Sequence, residues 1–104
     1  MAVRQFDVFD NPSSAMREAA PFVVVLSSHL LPGLTEVVVA PLVRAGVLKP
    51  SDFDIPVVVD GENMVISIIG LAAIAGERLK SRRGSLLTNE DDIRRALDRL
   101  FTGF

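Results

Sequence analysis

A single histidine and no cysteine leave this 104-residue chain few routes to covalent chemistry. His29 lies in "LSSHLLPG" beside Ser27 and Ser28, so a serine and an imidazole are close in sequence. No acid is spaced to orient that imidazole, and no nucleophile-elbow pattern accompanies it. His29 reads as a surface-turn residue or as a contact in a binding surface. "NEDD" (89–92) gathers three carboxylates, but consecutive residues at a helix start point in different directions. Acids there already have a role at the positive end of the helix dipole. "RLKSRRG" (78–84) is a basic cluster of the kind a solvated loop carries. It sits in a chain of formal charge -2, which gives no broad footprint for nucleic acid. With no phosphate-cradling glycine loop and no convergent nucleophile, base and orienter, the expectation is a protein that is not an enzyme and needs no cofactor or metal.

The end of the chain offers a different chemistry. "LFTGF" (100–104) finishes on a bare aromatic, where termini normally carry small polar residues. Such a tail either packs on its own subunit or is presented to a partner. A large apolar side chain on a short flexible lead can enter a partner's pocket and dominate the binding energy.

These residues need a scaffold, and the composition supports one. Hydrophobic residues make up 49% of the chain against 23% charged, which excludes disorder. The length predicts one domain over 1–104, close to the size where association helps. Neither a secretory leader nor a membrane span is expected. "MAVRQFDVFDNP" lacks the basic and apolar regions of a signal, and the run from Met64 to Gly76 falls short of the roughly 20 apolar residues a span requires. A cytoplasmic location follows as an expectation.

All six prolines fall within the first 56 residues, which predicts a strand-rich body followed by a C-terminal helix. "VRQFDVF" (3–9), "FVVVLS" (22–27) and "EVVVAPLV" (36–43) read as strands, with Pro41 marking a sheet edge or a bulge. "IPVVVDGENMVISII" (55–69) reads as a hairpin turning at Asp60-Gly61. "GLAAIAGERLKSRRGSL" (70–86) is expected to hold a short helix and irregular chain. The last element is a helix capped by Thr88, with an apolar stripe through Ile93, Ala96, Leu97, Leu100 and Phe101. Glu90–Arg94 and Asp91–Arg95 are placed to pair one turn apart.

Three segments, taken together, resemble the CcdB toxin family, the toxin half of the ccd toxin–antitoxin system of plasmid maintenance. They are "QFDVFDNPS" (5–13), "PFVVVLSSHLL" (21–31) leading to "VVAPLV" (38–43), and "LLTNEDDIRRALDRLFTGF" (86–104). The resemblance spans nearly the whole chain in order, including the hairpin turn and "LAAI" (71–74). It implies an α+β fold, a small SH3-like antiparallel barrel with a C-terminal helix, and a homodimer. It also implies a toxin that binds the DNA gyrase A subunit, traps the gyrase–DNA cleavage complex, and is neutralised by a CcdA-like antitoxin.

Carried over by position, the gyrase-binding residues are Thr102, Gly103 and Phe104, with Asp98 on the helix and Ser27, His29 and Leu30 after the second strand. The antitoxin-binding residues are Asp10, Asn11, Pro12, Ser13 and Ser14, whose other reading is a solvated loop. The family's best-studied members carry Trp where this chain has Thr102, and Thr cannot replace the area of an indole. The alternative is therefore a binding domain that dimerises and engages an antitoxin or another protein without poisoning gyrase.

Overall fold

The computed structural model describes residues 3–28, 35–46, 51 and 53–103. His29, Leu30 and Phe104 lie outside the described residues. The described residues form seven strands: β1 (Asp7–Asp10), β2 (Phe22–Val25), β3 (Glu36–Arg44), β4 (Asp54–Val59), β5 (Glu62–Ser67), β6 (Ala72–Ala75) and β7 (Arg82–Ser85). One antiparallel sheet runs β4–β5–β3–β2–β1–β7, and β6 pairs with β3 beyond the end of β5.

Alternation decides which side chains meet. Val8, Val24, Ala40, Leu42, Ile55, Val57, Met64 and Ile66 point to the inner face, where the curled sheet wraps them into the main core. Phe9, Val23, Val25 and Val39 point the other way and pack beneath Leu79, with Val3, Val37 and Ile74 alongside. The middle strands are therefore covered on both faces. That is why "FVVV" and "EVVV" are continuous apolar runs rather than alternating ones.

The hairpin forms as expected. Asp60 (φ 51°) and Gly61 (φ 78°) adopt the paired left-handed conformations that fit the twist of the flanking strands. Pro41 is not on an edge strand, since β3 has neighbours on both sides. Three steps along β3, Val39 to Leu42, face six on the other side, Ile66 to Ala72, because a 3₁₀ turn at Ile68–Gly70 loops out between β5 and β6. Pro41 sits opposite that gap, where its missing N–H costs no ladder bond. Gly70 lies against it: a Cβ there would come within 3.0 Å of the Pro41 ring.

The expected helix within 70–86 does not form. Ala72–Ala75 pairs with Glu36–Val39, Arg82–Ser85 pairs with β1, and a single 3₁₀ turn at Gly76–Arg78 separates them. Strand pairing with a distant segment overrides the weak helical preference of alanine.

The C-terminal helix, α1, spans Glu90–Thr102 and buries Ile93 and Ala96 against the inner core, with Leu97 and Leu100 half-buried. Thr88 does not cap it. Leu87–Asn89 forms a 3₁₀ turn, and Asn89 occupies the cap position without a side-chain bond. Arg94 reaches Glu90 at 2.6 Å as expected, whereas Arg95 lies 3.9 Å from Asp92 rather than pairing with Asp91. Among the described residues no helix is long and apolar enough to cross a membrane.

A bulge ties the last strand to the first. One step on β1, Val8 to Phe9, faces two on β7, Gly84 to Arg82, which leaves Arg83 outside the ladder. Its guanidinium grips Asp10 at 2.7 and 3.0 Å, and that hydrogen-bonded pairing lowers the Asp10 carboxyl below its ordinary value. A carboxyl depressed in the folded state stabilises above its unfolded pKa and loses that contribution as pH falls through the folded value. The urea-midpoint advantage of the native chain over Asp10→Asn should be constant near neutrality and shrink below about pH 4. An advantage that grows on acidification would contradict the pairing.

Candidate protein-binding face

Four of the residues carried over by resemblance can be placed on α1 and at the end of β2. Asp98, Thr102 and Gly103 are all exposed on the last turn of α1 and just past it. The Thr102 hydroxyl donates to the Asp98 carbonyl, so it is turned back onto the helix. Gly103 takes the left-handed conformation (φ 79°) and donates its N–H to the Arg99 carbonyl, closing the helix C-terminus. Only a residue without a Cβ adopts that conformation at little cost, so the glycine sets where the chain leaves the helix. Ser27 belongs to a different element. Leu26 and Ser27 both face Val38, and the Ser27 hydroxyl oxygen accepts the Val38 N–H at 3.0 Å.

Phe101 corrects the expected stripe. Its ring is 71% exposed, and it is not among the side chains packed on the core, which end at Leu100. The periodicity that places it on the apolar side is real, but the helix runs past the rim of the sheet it covers. Exposed apolar surface on α1 thus begins one residue before Thr102, and Ile69 on the 3₁₀ turn at Ile68–Gly70 adds a second large exposed side chain at 61%.

The loop after β1 is only partly an open surface. Asp10 is held by Arg83, and Asn11 is buried, donating to the Ala20 carbonyl at 2.9 Å and accepting the Ser13 N–H at 3.0 Å. Arg17 caps the arrangement by donating to the Asn11 carbonyl. Pro12 and Ser13 are half-buried, and exposure starts at Ser14. Asn11→Ala should cost about 1–3 kcal/mol in urea denaturation, because it leaves the Ala20 carbonyl without its partner. A loss of a few tenths would show the loop to be held some other way. Asp7 was missed as a structural residue by reading the sequence. It is 3% exposed, accepts the Arg4 N–H and pairs with Arg82 at 3.2 Å. Its place in an alternating strand gives no sign that a carboxylate would be buried.

A family model described as "CcdB protein" matches residues 5–103. The chain belongs to the CcdB family. Among curated protein sequences, none matches the chain. The sheet and helix resemble solved structures, including the "Mycobacterium tuberculosis toxin MazF-mt6", 22% identical over 94% of this chain and 96% of that one, with a TM-score of 0.72. A second, described as "Crystal structure of Mtb toxin", is 26% identical over 77% of this chain and 91% of that one, with a TM-score of 0.67. A third, "Endoribonuclease from Mycobacterial species", is 12% identical over 94% of this chain and 89% of that one, with a TM-score of 0.73.

Family and fold together place this member of the CcdB family on the toxin side of toxin–antitoxin systems. The expectation that it is not an enzyme is corrected on the fold alone, since a protein named as an endoribonuclease is built on the same fold. The search for a nucleophile, base and orienter is blind to substrates that bring their own nucleophile, as an RNA strand does with its 2′-hydroxyl.

Proposed function

We propose that this CcdB-family toxin binds the A subunit of DNA gyrase through the end of α1, traps the gyrase–DNA cleavage complex in the cytoplasm, and is neutralised by a CcdA-like antitoxin. The observation that carries the reading is the exposed run Asp98, Phe101, Thr102 and Gly103, with the helix closed at a left-handed glycine. An aromatic ring held by a packed helix, yet outside its own core, loses little freedom when it enters a partner's pocket. Phe104, next in the sequence, belongs to the gyrase-binding set in this reading. His29 and Leu30, two and three residues after Ser27 in the sequence, belong to the gyrase-binding set in this reading.

The toxin acts as a homodimer, which would cover apolar surface such as Ile69. For the antitoxin, the segment from Pro12 onward is the available part of the first loop, since Asp10 and Asn11 are committed to holding it.

A second reading has its own observation. Thr102 presents no ring where the best-studied family members have one, and its hydroxyl is used within the helix. That favours a domain that dimerises and binds an antitoxin while leaving gyrase intact.

Gyrase supercoiling and DNA-cleavage assays with purified protein separate the two. Accumulation of trapped cleaved DNA supports poisoning. Tight antitoxin binding without trapped cleavage supports the second reading. Cutting of single-stranded RNA by the same preparation, with gyrase untouched, would move the target to RNA and defeat both.

A further inference from the structure

The run Arg78 to Arg83 gathers four cations next to the first loop, at the other end of α1 from Phe101. Leu79 is buried against the outer face of the sheet and anchors the run, while Arg78 and Lys80 are exposed. Arg82 and Arg83 are committed to Asp7 and Asp10. Arg78 and Lys80 have no such partner among the described residues. Glu77 is the one acid in 76–86, so cations remain in excess there. β7 is also an edge strand: it pairs with β1, and its far side meets no other strand among the described residues. Gly84 (φ 153°) lies within it, and a Cβ there would meet nothing beyond its chain neighbours within 4 Å. A glycine in a strand leaves room for a second main chain to approach.

We infer that an extended acidic segment of the antitoxin adds to β7 as a further strand, with its carboxylates on Lys80 and Arg78. This rests on the reading that an antitoxin covers the first loop, and adds the chemistry of the covering chain. An open edge presents N–H and C=O groups that another main chain satisfies in series, while side chains at alternate positions set specificity. Nucleic acid would use the cations but leave the edge unpaired, and residues 76–86 hold no aromatic ring for bases to stack on. β7 is tied directly to the first loop. The Asp10 N–H donates to the Ser81 carbonyl at 3.0 Å, and Arg83 holds the Asp10 carboxylate. A chain lying along β7 therefore has the exposed part of that loop, from Ser14, beside it. At about 3.3 Å per residue, a segment of roughly eight residues spans Arg78 to Ser85. Cations on an edge deter apolar strands and admit acidic ones, so the charge that protects β7 also selects its partner.

Fluorescence anisotropy of the full chain with a labelled peptide of about eight residues, alternating Glu and Thr, tests the surface. Because the probe is not the antitoxin, failure here is separate from failure of antitoxin binding. The peptide should bind saturably, and more weakly as salt rises. Replacing its Glu by Gln should weaken binding about tenfold or more, and so should the Arg78→Gln/Lys80→Gln double change, since each removes charge-assisted bonds. Both positions are exposed, so the double variant should keep the urea midpoint of the native chain. N-methylation of alternate peptide amides, in one of the two registers, should abolish binding, because it blocks a ladder and keeps the charge. Amide exchange within 82–85 should slow when the peptide is bound. Three results overturn the inference: no saturable binding, binding indifferent to the double change or to N-methylation in both registers, or a single-stranded oligonucleotide of equal charge binding more tightly than the peptide.

Discussion

Removing Gly103 and Phe104 is expected to abolish growth arrest on expression while leaving the toxin folded. The helix is anchored upstream, by Ile93 and Ala96 in the core and by Leu97 and Leu100 against it. Among the described residues, what truncation takes from the fold is the bond from the Gly103 N–H to the Arg99 carbonyl at 3.0 Å, worth about 1 kcal/mol. In a domain of this size that lowers the melting temperature by about 4–8 °C. Loss of an aromatic anchor from a partner's pocket costs more, about 2–4 kcal/mol, or roughly 30- to 1,000-fold in affinity. Phe101→Ala offers an independent check. At 71% exposure its ring contributes little to the fold, so stability should change by less than about 0.5 kcal/mol while gyrase binding weakens. Growth arrest that persists in the truncated protein would remove the end of α1 from the mechanism.

Ile93→Ala should be the most damaging single truncation in the helix, at about 2–5 kcal/mol. The Ile93 side chain is fully buried and belongs to the same core cluster as Phe6, Ile68 and Leu86, drawn from three separate segments of the chain. Removing its outer carbons loses transfer energy and leaves a cavity that a curled sheet cannot collapse around. Against a typical total of about 5–15 kcal/mol, the loss is large enough to lower the folded population at 37 °C. Urea denaturation should show the midpoint falling with little change in slope. Leu97→Ala, at a half-buried position, should cost less. If the two variants cost the same, the helix is not seated as described. Because Ile93 faces the core and Phe101 faces solvent, the two changes separate a toxin that fails to fold from one that folds but fails to bind.

Much of this protein is written in short stretches of its sequence. Asp60-Gly61 dictates a hairpin because only that turn accepts two left-handed residues and matches the strand twist. The Val-rich runs dictate strands, since β-branched side chains fit a pleated surface and these are apolar on both sides. Residues 90–102 dictate a helix because charges and apolar residues separate at a period near 3.6. Each signal is local, so each survives without knowledge of the fold.

The rest depends on segments far apart in the chain. Residues 72–75 and 82–85 become strands only because β3 and β1 offer them ladder partners, which alanine and arginine preferences cannot announce. Pro41 is tolerated inside the sheet because a loop-out on the neighbouring strand removes the donor's partner. Phe101 is apolar by pattern and exposed by position, since the reach of the sheet and not the period of the helix decides where burial stops. The basic run 78–83 reaches the first loop because residues 82–85 pair with β1. Periodicity tells which side of an element is apolar, while only packing decides what, if anything, covers it.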